Sequence, residues 1–242
     1  MLPGHARVML RSLWHYAWFE CKGPDMQVFI YQPPSLPWLD IRYADEHIVI
    51  INKPSGLLSN PGIAAHTHDC ALTRLQQMYA EVHLVHRLDC DTSGVMVFAR
   101  SKAAEIHLKK QFEGRDMQKT YVALVQGDVQ TASGEINAPL LADPEQRPLQ
   151  KVAAAGKKAL TYFEVLEHSA QRSRLLLKPV TGRTHQLRVH LQYIGHTILG
   201  DNFYGDAACR AAAPRLCLHA QSLTLQHPHT AARLTFSVHA DF

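Results

Sequence analysis

Short, β-branched apolar segments that end at turn signals limit the possible folds of this chain more than any other feature. The run His47–Lys53 (HIVIINK) is the clearest example, and it stops at Lys53-Pro54-Ser55-Gly56. A run of this length and composition is typical of a buried strand. Six further segments predict strands: Val95–Arg100, Lys119–Val125, Ala159–Leu166, Leu175–Val180, Arg215–His219 and Arg233–His239.

Helical patterns are fewer than strand patterns. Ser101 is predicted to cap a helix that runs through Phe112 and stops at Gly114. Asp69 is predicted to cap a shorter helix, and Thr184–Ile194 shows a third helical pattern. Because strands outnumber helices and do not alternate strictly with them, we expect an α+β fold with a mostly antiparallel mixed sheet and flanking helices.

The first forty residues differ from the rest of the chain. They contain five prolines and show no stable apolar periodicity, so we expect residues 1–40 to form a poorly structured N-terminal extension. Residues 1–25 could be a mobile segment or an over-long translation start. Residues 41–242 are long enough to bury a sizeable core and are predicted to form one domain.

Composition favours a soluble globular protein. Hydrophobic residues make up 46% and charged residues 19% of the chain, and no apolar run approaches the roughly 18 residues of a membrane span. The N-terminal residues lack a secretory signal. Five scattered cysteines argue against a disulfide framework and for a reducing compartment, so a cytoplasmic location is predicted.

Positive charge is concentrated in one part of the sequence. Residues 151–190 contain eight basic and two acidic residues, a net charge of +6, whereas the whole chain carries +4. Such a segment suits a phosphate backbone, although a solvated basic face would look the same.

Two stretches contain the strongest candidates for catalytic or binding residues. Val85–Gly94 (VHRLDCDTSG) places Asp89 in a loop between two apolar strands, where a rigid carboxylate or a simple Asx-type turn could result. Thr181–His190 (TGRTHQLRVH) runs from a turn into a helix start and contains Arg183 and Arg188. One of these arginines could contact phosphate while the other pairs with a buried carboxylate.

A metal hydrolase is the main alternative from another class. His83, His86 and Cys90 have ligand-like spacing, as do His66, His68 and Cys70. However, positions i and i+3 of a strand point to opposite faces, and the chain has no Cys-x-x-Cys pair. No metal site is therefore predicted.

Together, five motifs in order resemble the RluA family of pseudouridine synthases over about residues 36 to 242. The motifs are Lys53-Pro54-Ser55-Gly56-Leu57-Leu58, His86-Arg87-Leu88-Asp89-x-x-Thr92-Ser93-Gly94, Lys119-x-Tyr121-x-Ala123, Gly182-Arg183-Thr184-His185-Gln186-Leu187-Arg188-Val189-His190 and Gly195-His196-x-Ile198-Leu199-Gly200-Asp201. Thr197 and Ser59-Asn60 depart from the usual family pattern, which we expect to affect local loop shape at most. The S4-like RNA-binding module of many longer relatives is not found in this sequence.

The resemblance implies a role for each matching position. Asp89 matches the catalytic aspartate, Tyr121 the tyrosine that stacks on the target base near C5, and Arg188 the basic residue paired with that aspartate. The matches implied for substrate binding are Arg87, which helps to hold the target nucleotide flipped out, and Leu187, which borders the base. Arg183 is a further candidate for substrate binding.

The resemblance also implies the fold and the reaction. It implies a pseudouridine synthase catalytic fold with a central RNA-binding cleft, isomerising uridine in RNA without a cofactor. Pro33–Trp38 and the closing Ala240-Asp241-Phe242 resemble members that modify both a tRNA anticodon-loop uridine, at position thirty-two, and a 23S rRNA loop uridine. Activity on tRNA only or on rRNA only is an alternative, and a non-catalytic RNA-binding module is another. No obligate protein partner is indicated.

Overall fold

A computed structural model describes residues 31–242, and the predicted mobile segment 1–25 lies outside them. The strands, in chain order, are β1 (Asp40–Ala44), β2 (Ile48–Lys53), β3 (His83–Leu84), β4 (Ser93–Ala99), β5 (Gln118–Gln126), β6 (Ser133–Asn137), β7 (Leu140–Ala142), β8 (Gln150–Val152), β9 (Leu160–His168), β10 (Arg172–Pro179), β11 (Leu218–Gln226) and β12 (Arg233–Ser237). The α-helices are α1 (Ala71–Gln76), α2 (Lys102–Gly114), α3 (Gln186–Tyr193) and α4 (Ala207–Ala211). None of these helices has the length and apolar character that crossing a bilayer requires.

One large mixed sheet organises these elements and confirms the predicted α+β class. Its main path runs β1-β2-β4-β11-β5-β10-β9-β6, with β12 paired to β11 and β3 paired to β4. The pairing of β4 with β11 is parallel, and every other pairing within this sheet is antiparallel. The short strands β7 and β8 form a separate ribbon.

The β-branched run at the start of the domain reflects burial on both faces of the sheet. Ile48 and Ile50 belong to the core cluster that includes α2, whereas Val49 and Ile51 belong to the cluster that includes α1. Successive side chains of a strand point to opposite faces, so a strand covered on both sides is apolar throughout rather than alternating. This arrangement makes β2 a central anchor for the segment that follows it.

The start of the domain lies earlier than the predicted residue 41. The Tyr31 hydroxyl donates to the Asp69 carbonyl and accepts from the Leu58 amide, at 2.6 and 3.0 Å. The Arg74 guanidinium packs over the Trp38 ring and donates to the Trp38 carbonyl. Residues 31–40 are therefore attached to the domain rather than extended from it.

Several local predictions need correction. The N-cap of α1 is Cys70 rather than Asp69, because the Asp69 carboxylate instead receives two hydrogen bonds from Arg74. Helix α3 begins at Gln186, since His185 adopts a left-handed backbone with φ of 54°. The strand predicted at 215–219 is displaced to Leu218–Gln226, because the alternating pattern that pairs with β12 continues beyond His219. Ser101 caps α2 as predicted.

Candidate active site

A cavity of about 920 Å³ opens beside the centre of the sheet and is called the cleft below. Its walls come from the loop 85–92, the end of α2, strand β5, the end of β10 and the start of α3. All six residues predicted to form the site line this cleft: Asp89, Tyr121, Arg188, Arg87, Arg183 and Leu187. Residues separated by about a hundred positions in the chain thus meet at one place.

The parallel pairing of β4 with β11 positions the Asp89 loop at the sheet centre. Gly94, with φ of 117°, lies opposite Ala220, and a side-chain carbon there would come within 2.2 Å of the Ala220 carbonyl oxygen. Only glycine fits this close approach. On the next strand, Tyr121 lies opposite Ala220, which places its side chain next to the loop that carries Asp89.

Lys53 anchors the Asp89 loop from the end of β2. Its ammonium group is fully buried and donates to the carbonyls of Pro54, Leu57 and Cys90 at 2.9, 2.7 and 2.8 Å. Burial lowers the pKa of Lys53 to about 8, against the charges of Asp91 and Asp89, which favour the protonated form. The residue therefore joins the turn after β2 to the residue that follows Asp89.

Two serines fix the same loop on either side of Asp89. The Ser55 hydroxyl donates to the Asp91 carbonyl at 2.7 Å, and the Ser59 hydroxyl donates to the Leu88 carbonyl at 2.6 Å. The Leu88 amide in turn donates to Ser59 Oγ at 3.1 Å. Ser59 is one of the departures from the family pattern, and it holds the backbone directly before Asp89.

Tyr121 is packed between two parts of the core. Its ring contacts the apolar cluster around β5 and β10 as well as the cluster that contains Leu88 and Met96. Burial raises the pKa of the Tyr121 phenol, and the negative charge of Asp89 raises it further. The phenol therefore stays protonated, with an aromatic face and a hydroxyl group at the wall of the cleft.

Arg188 corrects the prediction that its guanidinium pairs with Asp89. Its Nε and Nη2 atoms donate to the two carboxylate oxygens of Asp201, at 2.8 and 2.6 Å, and both side chains are buried. Burial opposes the charge on Arg188, but the hydrogen bonds and charge of Asp201, with smaller effects from Asp89 and Asp91, raise its pKa. The buried carboxylate partner is thus Asp201, while Asp89 is close enough to act electrostatically.

The Asp201 carboxylate also organises the segment that follows it. Its Oδ1 atom accepts from the amides of Phe203 and Tyr204 at 2.9 and 3.0 Å. The rings of these two residues lie 4.8 and 5.3 Å from the Arg188 guanidinium carbon. Asp201 belongs to the last of the five motifs, but the sequence does not predict its pairing, because it lies thirteen positions beyond Arg188.

The predicted substrate-binding residues occupy the rim and wall of the cleft. Arg87 and Arg183 are exposed, and Arg183 Nε donates to the Lys158 carbonyl at 3.1 Å. Leu187 is buried in the first turn of α3 and lies in the core cluster next to the cleft. Exposed guanidinium groups above an apolar wall suit a nucleotide, whose phosphates and base need different surroundings.

The basic stretch 151–190 is divided among several surfaces. Lys178, Arg183 and Arg188 line the cleft, but Lys151 pairs with Asp143 on the β7–β8 ribbon. Other cations of the cleft come from elsewhere in the chain: Arg87, Arg115 and Lys119. The carboxylates of its lining are Asp89 and Glu113, so the cleft carries a net positive charge.

Two of the histidines with ligand-like spacing, His83 and His86, have separate local partners. His86 Nε2 accepts from the Val97 amide at 3.1 Å, and the His86 ring stacks on Phe112. His83 instead pairs with Glu81 and Glu105. Within residues 31–242, no three histidine, cysteine or acidic side chains form a group suited to a metal ion.

The chain resembles proteins of known activity over most of its length. Residues 47–193 match the family model described as RNA pseudouridylate synthase. The dual-specificity RNA pseudouridine synthase RluA of Escherichia coli K12 is 51% identical over 214 residues, covering 88% of this chain and 98% of the relative. The protein of the same name from Haemophilus influenzae is 47% identical over 219 residues, covering 90% of this chain and all of the relative.

Solved structures give the same result for the fold. Human RNA pseudouridylate synthase domain containing 1 superposes with a TM-score of 0.73 at 29% identity, covering 87% of each chain. Human RNA pseudouridylate synthase domain containing 4 gives 0.67 at 26% identity, covering 83% of this chain and 88% of the other. The chain therefore belongs to the RNA pseudouridylate synthase family, in its RluA branch, and is an isomerase that converts uridine in RNA to pseudouridine.

Proposed function

We propose that Asp89 is the catalytic carboxylate, that Tyr121 stacks on the target uracil, and that Arg188 supports both. The observation that carries this proposal is the meeting of Asp89 and Tyr121 in one cleft, where the charge of Asp89 acts on the Tyr121 phenol. The loop that carries Asp89 is attached at Leu88, Cys90 and Asp91. Such attachment keeps a reactive group in place at little entropic cost during turnover.

The reaction exchanges one glycosidic bond for another without gain or loss of atoms. The N1–C1′ bond breaks, the uracil turns, a C5–C1′ bond forms, the C5 hydrogen leaves as a proton and N1 gains one. Asp89 can attack C1′ and later be displaced by C5, can attack the base, or can remove a sugar proton in an elimination route. In each route the detached uracil must be held in place, and stacking on an aromatic ring provides about 1–3 kcal/mol per base.

A base inside a helical stem cannot reach a carboxylate within the cleft, so the target nucleotide must be turned out of its stack. We propose that Arg87 and Arg183 hold the flanking phosphates, since both are exposed cations at the rim. Leu187 then contacts one edge of the base from α3. The charged rim of the cleft supports the assignment of the phosphates to the arginines, and its apolar wall supports the assignment of the base to Leu187.

We propose two targets, the uridine at position thirty-two of a tRNA anticodon loop and a uridine in a 23S rRNA loop. The support is the 51% identity to a dual-specificity enzyme over nearly its whole length. Both RNAs must present a loop of similar shape, because RNA recognition depends largely on shape and on bases that can be turned out. We also propose a cytoplasmic location, because tRNA and 23S rRNA are found in that compartment.

Release of tritium from RNA labelled at C5 of uridine tests this function directly, because the C5 hydrogen must leave when C5 becomes the glycosidic carbon. Wild type is compared with Asp89→Asn, and Asp91→Asn serves as the matched control two residues away on the same loop. The RNAs are a tRNA anticodon stem-loop and a 23S rRNA fragment. We expect release by wild type and by Asp91→Asn, and none by Asp89→Asn, with RNA affinity retained.

The outcomes separate the alternatives. Release from only one RNA would replace dual specificity by tRNA-only or rRNA-only activity. Activity in Asp89→Asn would show that the carboxylate has been misassigned. RNA binding by wild type without release from any cellular RNA would leave a non-catalytic binding module as the function.

A further inference from the structure

The structure assigns to His185 the role of a neutral hydrogen-bond donor, through its Nε2–H group, to a carbonyl oxygen of the target uracil. The assignment rests on the proposed function only for the identity of the base. The assignment adds His185 to the residues that contact the substrate. It also gives Tyr204 the role of positioning the proton of the His185 ring.

The location of His185 supports a contact with the substrate. The residue lines the cleft directly before α3. The charges of Asp89, Arg188 and Arg87 all act on its ring. Its backbone φ of 54° is unusual for a residue other than glycine, and such conformations cost about 1–3 kcal/mol and cluster at functional sites.

Tyr204 determines which ring nitrogen carries the proton. The Tyr204 hydroxyl oxygen accepts from the Gln150 amide at 2.9 Å and lies 2.7 Å from His185 Nδ1. Burial raises the pKa of Tyr204 to about 12, so the phenol keeps its proton. Among residues 31–242, His185 Nδ1 is the acceptor within hydrogen-bond reach of the Tyr204 hydroxyl, whose oxygen already accepts from the Gln150 amide. A phenol that donates to Nδ1 leaves the proton of the neutral imidazole on Nε2.

The ring is also held neutral and in a fixed orientation. Burial lowers the pKa of His185, the charges of Asp89 and Asp201 oppose this effect, and those of Arg188 and Arg87 add to it. The Phe203 and Tyr204 rings lie 5.4 and 5.6 Å from the imidazole, which limits its rotation. The buried Arg188–Asp201 pair holds both aromatic residues in place.

The Nε2 atom has no hydrogen-bond partner within residues 31–242, although His185 is only 7% exposed. A neutral N–H donor is a weak ligand for phosphate beside the arginines of the rim, since charged donors bind anions more strongly. It is well matched to a uracil carbonyl. Detachment of uracil places negative charge on those oxygens, so a fixed donor stabilises the charge as it develops.

Measuring kcat for variants with substitutions at His185 tests whether the Nε2–H group donates a hydrogen bond during the reaction. His185→Phe keeps a ring without a donor, and His185→Asn keeps an N–H donor in a residue that tolerates left-handed backbone. We expect kcat to fall about 100-fold in His185→Phe with little change in the dissociation constant for RNA, and less in His185→Asn. His168→Phe, at an exposed histidine outside the cleft, is the control. Unfolding in urea verifies that each variant is folded.

Nitrogen-15 NMR of histidine-labelled protein tests the proton position without any substrate. The His185 signal is the one missing from both variants at 185. We expect a neutral Nε2–H imidazole at neutral pH, and loss of that preference in Tyr204→Phe. An Nδ1–H or charged imidazole, or an unchanged kcat in His185→Phe, would overturn the inference. Absence of tritium release by wild type would instead count against the proposed function, because the NMR result does not depend on activity.

Discussion

Arg188 and Asp201 form a buried bidentate ion pair next to the cleft, with N–O distances of 2.6 and 2.8 Å. The pair joins α3 to the segment that carries Phe203 and Tyr204, and so connects the predicted site to the rings around His185. Its main consequence is structural, since neither partner can lose its counterpart without leaving a buried charge.

Asp201→Asn should therefore be strongly destabilising. Removing one partner of a buried pair costs about 3–5 kcal/mol because the remaining charge is desolvated and uncompensated. The free energy of unfolding in urea measures this loss. Glu164→Gln breaks the half-exposed Lys178–Glu164 pair and is the control, with an expected cost below about 1 kcal/mol. Equal effects of the two substitutions would contradict the importance of the buried pair.

Lys53→Met should loosen the loop that carries Asp89. The substitution leaves carbonyls of Pro54, Leu57 and Cys90 without the ammonium donor, and an unsatisfied buried acceptor costs about 1–3 kcal/mol. We expect lower unfolding free energy and a fall in kcat larger than the change in KM. Ser55→Ala, which removes a single hydrogen bond to the same loop, should have a smaller effect on both quantities.

Tyr121→Phe should separate stacking from proton transfer. The ring remains, so RNA affinity should change little. The rate should fall by about 10²–10⁴-fold if the phenol moves a proton at C5, as general acid–base groups do. Tyr162→Phe, at a tyrosine of the cleft that is 44% exposed, is the control. An unchanged tritium-release rate in Tyr121→Phe would limit this residue to packing and stacking.

Arg87→Ala and Arg183→Ala should weaken RNA binding mainly through electrostatics. Each lost phosphate contact should reduce the slope of log affinity against log salt concentration by about 0.7 for single-stranded RNA. Filter-binding titrations at several salt concentrations measure the slope. Arg42→Ala, at an exposed arginine paired with Asp40 on β1, should leave the slope unchanged. A slope that is the same in all three variants would remove both arginines from the phosphate contacts.

His86 should make the protein sensitive to acid. Burial lowers its pKa from 6.5 to about 3, and Lys119 adds to the effect. Between these values the unfolded chain binds a proton that the folded protein does not, so stability falls as the pH decreases from about 6.5 towards 3. Protonation of Nε2 would also break the bond from the Val97 amide. Urea unfolding at several pH values should show a weaker decline in His86→Gln than in wild type.

The sequence determined the features that depend on neighbouring residues. The β-branched run before Lys53 predicted β2, Ser101 predicted the start of α2, and the motif around Asp89 predicted a loop between strands. These features depend on backbone propensity, capping and alternation, which act over a few residues. Each predicted site residue also lines the cleft. The family motifs identify which residues belong to the site, but they do not identify the residues that these contact.

Only the tertiary structure decided which side chains meet. The parallel pairing of β4 with β11 brings Gly94 against Ala220, and Tyr121 of β5 lies opposite the same Ala220. These two pairings place the loop that carries Asp89 next to Tyr121. The partner of Arg188 could not be chosen from spacing, because Asp89 and Asp201 are both distant in sequence and the choice depends on how α3 packs. The same holds for Lys53 with Cys90 and for His185 with Tyr204: contacts over long sequence separations are fixed by the sheet topology and by the burial that accompanies it, not by local preference.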